Sequence, residues 1–243
     1  MIKAIVLPVY SACILISTML ASGCEKQSGA ASTPVNPTPV VPVAAKKYLA
    51  LGDSYTIGQS VPVEDRFPHQ AVFMLRSQGI AMADPRYIAT TGWTTANLQA
   101  AINSQMPLGT FDVVTLLIGV NDQYQGVDTA IYRTRFTQLL QKSIELAGGA
   151  KSKVFVLSIP DYSATPFVPA GSKARISAEI DWFNAINKEV TLQNGVSYTD
   201  ITPLTRQAAN DLSLLASDNL HYSGKEHKLW AEMIVPKMKA VLQ

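Results

Sequence analysis

The chain has 243 residues, of which 47% are hydrophobic and 16% are charged, and its formal net charge is +2. This length and composition are sufficient for one ordinary globular core. The near-neutral charge, without a basic stripe, gives no electrostatic reason to expect nucleic-acid binding. Three histidines and two cysteines, with no spacing of the zinc type, predict no metal site.

The first 23 residues have the pattern of an export signal. Lys3 supplies a positive start, residues 4–20 form a nearly unbroken apolar run, and Ala21-Ser22-Gly23 are small. We predict a cleaved signal peptide over residues 1–23. A permanent membrane helix is the alternative, although the run is at the short end of the roughly 17–25 residues that a span requires.

Cys24 is the only cysteine left after such cleavage, because Cys13 falls within the signal. In an exported protein a lone cysteine has no internal disulfide partner. The small residues ending in Cys24 resemble the lipobox of bacterial lipoproteins, which implies lipid attachment at Cys24 and anchoring to a bacterial membrane in the cell envelope. Ala21 stands where that motif usually has Leu, so ordinary signal-peptide cleavage and a free or intermolecular thiol remain the alternative.

Residues 24–47 differ in composition from the rest of the chain. They contain Pro34, Pro37, Pro39 and Pro42 among Ser, Thr, Val and Ala, without apolar periodicity. Such a segment cannot bury enough surface to offset its ordering entropy. We predict a flexible to semi-extended tether that holds a single domain, residues 48–243, away from a membrane.

Within that domain, short strand-like runs alternate with amphipathic helical stretches. Strands are predicted at residues 48–51, 86–89, 113–118, 154–159 and 196–199, and helices at 67–78, 132–147, 174–192 and a last stretch that includes Trp230 and Pro236. Alternation of this kind indicates βαβ units. We predict an α/β fold, a three-layer α/β/α sandwich with a five-stranded, mainly parallel sheet, whose ligands bind beyond the carboxyl ends of the strands.

Four of the predicted strand exits have residues suited to chemistry. Ser54 follows the first strand, Gly92 the second, Asn121 the third, and Asp218 and His221 follow the fifth after a helical excursion. Each signal alone is weak, since Gly-Asp-Ser after a strand is more often a turn than an active site. Together they place a nucleophile, a base, a carboxylate and hydrogen-bond donors at one edge of the sheet.

These residues resemble the SGNH hydrolases, also called GDSL esterases and lipases, over the whole domain. The four matching blocks are Gly52-Asp53-Ser54, with Tyr55 in place of the usual Leu; Gly92; Gly119-x-Asn121-Asp122; and Asp218-x-x-His221, with Tyr222 in place of the common Pro. The resemblance implies a flavodoxin-like fold. An α/β-hydrolase is rejected, because Thr56 stands where the second glycine of its G-x-S-x-G elbow belongs.

The resemblance also implies a role for each residue. Ser54 is the nucleophile, His221 its base and Asp218 the carboxylate that orients the imidazole, while the oxyanion hole consists of the Ser54 and Gly92 N–H groups and the Asn121 amide. A serine hydroxyl is a weak nucleophile unless a base takes its proton. Histidine suits that task, because its ordinary pKa of about 6.5 lets it exchange a proton near neutrality. No metal or organic cofactor is required.

We therefore expect serine-dependent hydrolysis of a carboxylic ester through an acyl-enzyme. Substrates of the family include small-molecule, glycan and lipid esters, and export with a membrane tether favours an envelope or environmental ester such as an acetylated glycan. Two alternatives are an acyltransferase that uses the same site and a catalytically silent surface binding lipoprotein. The oligomeric state is not predictable from these features.

Overall fold

A computed structural model describes residues 44–243 of the chain. The predicted signal peptide, Cys24 and the predicted tether up to residue 43 lie outside the described residues. Within residues 44–243, none of the helices is both long enough and apolar enough to span a membrane. Lys46 pairs with Met82, and the Lys47 carbonyl accepts from the Asp112 N–H at 2.8 Å, so these two residues already belong to the packed unit.

The described residues contain one five-stranded sheet in the order β2-β1-β3-β4-β5, and every neighbouring pair is parallel. The strands are β1 (Tyr48–Gly52), β2 (Arg86–Ala89), β3 (Val113–Leu117), β4 (Val154–Leu157) and β5 (Ser197–Thr199). This order is that of flavodoxin-like folds. The predicted α/β class is confirmed, with a sheet that is parallel throughout rather than mainly so.

The helices lie on both faces of this sheet. They are α1 (Ser54–Ile57), α2 (Phe67–Ser77), α3 (Thr95–Ser104), α4 (Val120–Tyr124), α5 (Thr129–Leu146), α6 (Ala170–Gln193), α7 (Thr202–Thr205) and α8 (Gly224–Leu242). Helix α2 packs against α8, and α5 packs against α3 and α6. The chain crosses from β1 to β2 in one direction along the sheet, whereas the crossovers from β2 to β3, from β3 to β4 and from β4 to β5 all run in the other direction. Right-handed crossovers therefore place α2 on one face and α3, α5 and α6 on the other.

The central strands are buried because helices cover both of their faces. Every residue of β1, β3 and β4 is buried, whereas β2 at the edge is partly exposed. This explains their nearly continuous apolar sequence, which is typical of parallel sheets. The core extends past the strand ends, since Ile118 and Ile159 are also fully buried.

The direction of the chain across the sheet reverses at β1, which has β2 on one side and β3 on the other. In open parallel sheets the crevice at such a reversal, beyond the carboxyl ends of the strands, is the usual ligand site. Ser54 follows β1 and Asn121 follows β3. The topology therefore brings two of the predicted site residues to the same crevice.

Candidate active site

Ser54 is the first residue of α1, directly beyond the end of β1. Asp53 precedes it and caps the short helix, because its Oδ1 accepts the Tyr55 N–H at 3.0 Å and its main-chain carbonyl accepts from Ile57 at 3.1 Å. Burial raises the pKa of Asp53 to about 8, so this carboxyl is protonated at neutral pH. Asp53 thus shapes the turn that presents Ser54.

The turn also depends on Gly52, the last residue of β1. A Cβ atom at this position would lie 2.0 Å from the Thr56 Oγ1 and 2.3 Å from the Leu117 carbonyl oxygen. Both distances are far shorter than a van der Waals contact, so only glycine lets α1 turn back this closely over β1 and β3. The glycine of the Gly-Asp-Ser block therefore has a steric cause.

His221 and Asp218 lie in one loop, and three hydrogen bonds connect the Asp218 carboxylate to this loop. The His221 Nδ1 is 2.7 Å from the Asp218 Oδ2, and the Asp218 Oδ1 accepts the N–H groups of Leu220 at 3.0 Å and His221 at 2.9 Å. The spacing of three residues thus lets one carboxylate hold both the backbone and the ring of the histidine. With Nδ1 bonded to Asp218, the other ring nitrogen, Nε2, is left as the proton acceptor.

Ser60 supplies a further hydrogen bond to this carboxylate. Its Oγ donates to the Asp218 Oδ2 at 2.6 Å, and Ser60 adopts a left-handed backbone conformation with φ of 63°. Burial alone would raise the pKa of Asp218, but the hydrogen bonds from Ser60 and His221 outweigh it and hold that pKa well below its usual range. Asp218 is therefore ionised at neutral pH and can stabilise a positive charge on the imidazole.

Two aromatic residues, Tyr55 and Tyr222, lie beside the histidine. The Tyr55 ring lies 5.3 Å from the His221 ring, centroid to centroid, and 5.8 Å from the Tyr222 ring. The Tyr222 hydroxyl donates to the Asp161 carbonyl at 2.9 Å in the core. The Tyr55 ring therefore packs against the imidazole, and the anchored Tyr222 packs against Tyr55 in turn.

The Asn121 side chain lies at the start of α4 and is anchored to the neighbouring loop. Its Nδ2 donates to the Trp93 carbonyl at 3.0 Å, and since an amide nitrogen has two hydrogens, one remains for a ligand. Asp122 accepts the Thr95 N–H at 2.8 Å and the Thr95 hydroxyl at 2.6 Å. These buried bonds tie α4 to the start of α3 and so hold Asn121 beside the loop of Gly92.

Gly92 lies in the turn between β2 and α3 with φ of +81°. A Cβ atom here would meet nothing within 4 Å, so the requirement for glycine is conformational rather than steric. The turn presents the Gly92 backbone to the same cleft as Ser54 and Asn121.

The predicted residues meet in a cleft of about 230 Å³. Its lining contains Ser54, Tyr55, Thr91, Gly92, Val120, Asn121, Tyr124, Tyr162, Phe167, Leu220 and His221. Asp218 does not line the cleft itself, but it is hydrogen-bonded to His221, which does. Within residues 44–243, the Ser54 hydroxyl makes no hydrogen bond to the imidazole; catalytic hydrogen bonds are often long before substrate binds. All five residues predicted from the sequence are therefore part of one site.

The sequence that contains this site matches a known protein family. Residues 50–229 match the GDSL-like lipase/acylhydrolase family. The chain belongs to this family. It is a carboxylic ester hydrolase, which confirms the enzyme class predicted from the sequence.

Solved structures resemble the fold of this hydrolase at low sequence identity. The lipase/acylhydrolase from Enterococcus faecalis has a TM-score of 0.61 at 19% identity, with 80% of this chain and 96% of that chain covered. An acetylxylan esterase from Geobacillus stearothermophilus has a TM-score of 0.61 at 17% identity, with coverage of 79% and 94%. Phospholipase A1 from Streptomyces albidoflavus has a TM-score of 0.58 at 18% identity, with coverage of 81% and 99%. No curated protein sequence matches the chain significantly.

Three residues of the hydrolase site were not predicted from the sequence. Tyr162 and Phe167 line the cleft from the segment after β4, and Ser60 bonds to Asp218. The position of Tyr162 beyond the carboxyl end of β4 was a usable signal, because that edge of the sheet is where ligands bind. Ser60 had no comparable signal.

The other two histidines of the hydrolase make structural contacts. The buried His227 accepts the Phe67 N–H at its Nδ1, 3.1 Å away, and the His69 Nδ1 lies 2.7 Å from the Tyr87 hydroxyl. Neither lines the cleft. Among the described residues, no group of three or more His, Cys, Asp or Glu side chains is placed to hold a metal ion.

Proposed function

We propose that this hydrolase cleaves its ester through an acyl-enzyme formed on Ser54. The observation that carries the proposal is the hydrogen-bonded pair of Asp218 and His221 in the same cleft as Ser54 and the free N–H of Asn121. A nucleophile, an oriented base and a donor for a developing negative charge are the parts that acyl transfer requires.

In the first half of the reaction, the Ser54 Oγ attacks the ester carbonyl carbon while the His221 Nε2 takes the hydroxyl proton. The carbonyl oxygen becomes an oxyanion, which accepts hydrogen bonds from the Ser54 and Gly92 N–H groups and the Asn121 amide. The tetrahedral intermediate then expels the alcohol, which leaves with the proton held by His221. Asp218 stays ionised throughout and stabilises the imidazolium.

In the second half, water attacks the acyl group on Ser54 while His221 takes a proton from it. Collapse of this second intermediate returns the proton to the Ser54 oxygen and releases the carboxylic acid. An acyltransferase would differ only in the acceptor, since an alcohol would replace the water. Product analysis with added glycerol separates the two reactions, because transfer gives a glycerol ester and hydrolysis gives free acid.

The dimensions of the cleft support a short acyl group. A volume of about 230 Å³ is below the roughly 300–1,000 Å³ of ordinary small-molecule pockets. Apolar walls from Val120, Phe167 and Leu220 suit the methyl end of such an acyl group. We therefore propose an acetyl or similarly short ester in preference to a long-chain lipid ester.

The experiment is to assay the purified protein on p-nitrophenyl esters of increasing acyl length beside Ser54→Ala. We expect the highest kcat/KM for the acetyl ester, a steady loss with longer chains and no turnover by the variant. Ser77→Ala, which replaces an exposed serine on α2, is the matched control and should retain full activity. Retained activity in a folded Ser54→Ala protein would overturn the nucleophile assignment.

We also propose that residues 1–23 are removed on export and that Cys24 is the site of lipid attachment. The support is the sequence pattern alone: a charged start, an apolar run and small residues before a lone cysteine. Metabolic labelling with a fatty acid should mark the wild type but not Cys24→Ser, and the variant should move from the membrane fraction to the supernatant. An unlabelled wild type would leave ordinary signal cleavage as the explanation.

A further inference from the structure

A second cavity of about 450 Å³ adjoins the active-site cleft. The two share Tyr124 and Tyr162, which form part of the wall of each. The remaining walls come from the α4–α5 connection and from one side of α6, and they include Gln123, Asp128, Arg175, Glu179 and Trp182. A substrate whose acyl group enters the cleft can therefore extend across the shared tyrosines into this cavity.

The polar groups of the second cavity are held in a continuous hydrogen-bonded row. The Tyr162 hydroxyl donates to the Gln123 Oε1 at 2.9 Å, the Gln123 Nε2 donates to the Glu179 Oε2 at 2.6 Å, and the Arg175 Nη1 donates to the Glu179 Oε1 at 2.7 Å. Each side chain can still form further hydrogen bonds: Gln123 has a second amide hydrogen, Glu179 has free carboxylate lone pairs and Arg175 has further guanidinium hydrogens. The row thus offers fixed donors and acceptors to a ligand rich in hydroxyl groups.

Two aromatic side chains complete the cavity. Trp182 on α6 and Tyr124 at the end of α4 are each 63% exposed, although both are large and apolar enough to favour burial. An exposed indole beside charged side chains is suited to a ligand that has both an apolar face and polar edges. A sugar ring has this character, since its axial C–H groups form a face and its hydroxyls lie around the rim. A fatty acyl chain could use none of the remaining hydrogen-bonding capacity of Gln123, Arg175 and Glu179.

We propose that this second cavity is a sugar subsite, which holds a monosaccharide unit next to the unit whose acetyl ester enters the cleft. The inference rests on the proposed function and names its substrate class as an acetylated glycan. Trp182 supplies a stacking face, and the row from Gln123 to Arg175 supplies hydrogen bonds to the ring hydroxyls.

The test compares Trp182→Ala with the wild type on acetylated tetrasaccharides of xylose, glucose and N-acetylglucosamine, and on the corresponding acetylated monosaccharides. We expect the wild type to prefer at least one tetrasaccharide in kcat/KM. In the variant, the ratio of kcat/KM for the tetrasaccharide to kcat/KM for the monosaccharide should fall about tenfold, the order expected for one aromatic contact. Its activity on p-nitrophenyl acetate should be unchanged. Phe73→Ala, at an exposed aromatic residue on α2, is the matched control and should change neither value.

Binding gives a readout that does not depend on the reaction. Unacetylated tetrasaccharide, titrated calorimetrically into Ser54→Ala, should bind, and the additional substitution Trp182→Ala should weaken that binding. The subsite is overturned if no tetrasaccharide is preferred to its monosaccharide, or if Trp182→Ala alters the acyl-length profile instead of the sugar preference. Failure of the serine mechanism would look different, since p-nitrophenyl acetate hydrolysis would then survive Ser54→Ala.

Discussion

Replacement of Asn121 by alanine is the sharpest test of the proposed oxyanion hole. The Asn121 amide has two N–H groups, and one of them is already bonded to the Trp93 carbonyl at 3.0 Å. The other is the only side-chain N–H of this residue that can reach an oxyanion. Asn121→Ala therefore removes a single catalytic donor together with one structural hydrogen bond.

The expected losses of activity and of stability follow from the removal of this donor and of this hydrogen bond. Removal of one oxyanion-hole donor costs about 10²–10³ in kcat, or about 2.7–4 kcal/mol. The lost bond to Trp93 costs about 0.5–1.5 kcal/mol of stability. The two buried bonds from Thr95 to Asp122 remain, so α4 keeps its position. Because the oxyanion forms only in the transition state, kcat should fall while KM changes little.

The assay is steady-state hydrolysis of p-nitrophenyl acetate, with urea unfolding of the same samples. Asn121→Asp should be slower still than Asn121→Ala, since it places a carboxylate oxygen beside the developing negative charge. Asn103→Ala, at an exposed residue of α3, should match the wild type. A folded Asn121→Ala protein with less than a threefold loss in kcat, or with its whole loss in KM, would refute the assignment.

Three further predictions concern the residues that shape the site. Ser60→Gly removes the 2.6 Å hydrogen bond to Asp218 but keeps the left-handed backbone, so kcat/KM on p-nitrophenyl acetate should fall roughly tenfold with little change in stability. Gly52→Ala introduces a methyl group 2.0 Å from a side-chain oxygen and should lower the free energy of unfolding by about 3 kcal/mol or more, as measured in urea. Gly171→Ala, where a Cβ meets nothing within 4 Å, should instead add roughly 0.5 kcal/mol. Burial raises the pKa of Asp53 from 3.8 to about 8, so the folded protein holds a proton that the unfolded chain releases. The contribution of this group to stability is therefore complete below pH 4 and is lost as the pH rises to 8, and urea titrations should show that Asp53→Asn removes this part of the pH dependence.

Each of these expectations has a clear contrary result. Wild-type activity in Ser60→Gly would mean that Asp218 holds His221 without help. Equal stability of Gly52→Ala and the wild type would mean that α1 can shift away from β1. Parallel pH curves for Asp53→Asn and the wild type would mean that the buried carboxyl does not retain its proton on folding.

The strands were predictable because the central ones are buried on both faces. The sequence predicted strands at residues 113–118 and 154–159, and the structure has them at Val113–Leu117 and Val154–Leu157. Both predicted strands extend past the observed strand ends, because Ile118 and Ile159 are buried as completely as the strands themselves. An apolar residue indicates that a position is buried, but it does not show whether the backbone there is paired with a neighbouring strand, and it is this pairing that defines the end of a strand.

Helix α3 was missed because its apolar signal is sparse. Among its ten positions, only Leu98 and Ile102 are fully buried apolar residues, while Thr95 is buried and Ala101 is partly buried against the core. The start of the helix has only a weak sequence signal, because Thr94 is a favoured N-cap residue but Asn97 stands where a capping box usually has Glu or Gln; in the structure the two residues nevertheless form the reciprocal bonds of such a box. The predicted helix at 67–78, with a fuller apolar face, matches α2 at Phe67–Ser77 closely.

By itself, the sequence determined the fold class, the four blocks of site residues and the edge of the sheet where they lie. The fold class follows from local periodicity, and the edge of the sheet follows from the rule that parallel strands present their carboxyl ends together. The blocks of site residues follow from the resemblance to the SGNH hydrolases. Only the tertiary structure decided that Ser60 bonds to Asp218, 158 positions away, that Asn121 anchors to Trp93, and that a second cavity adjoins the cleft. Such contacts depend on strand order and loop conformation, which bring distant residues within hydrogen-bond distance and leave no periodic trace in the chain.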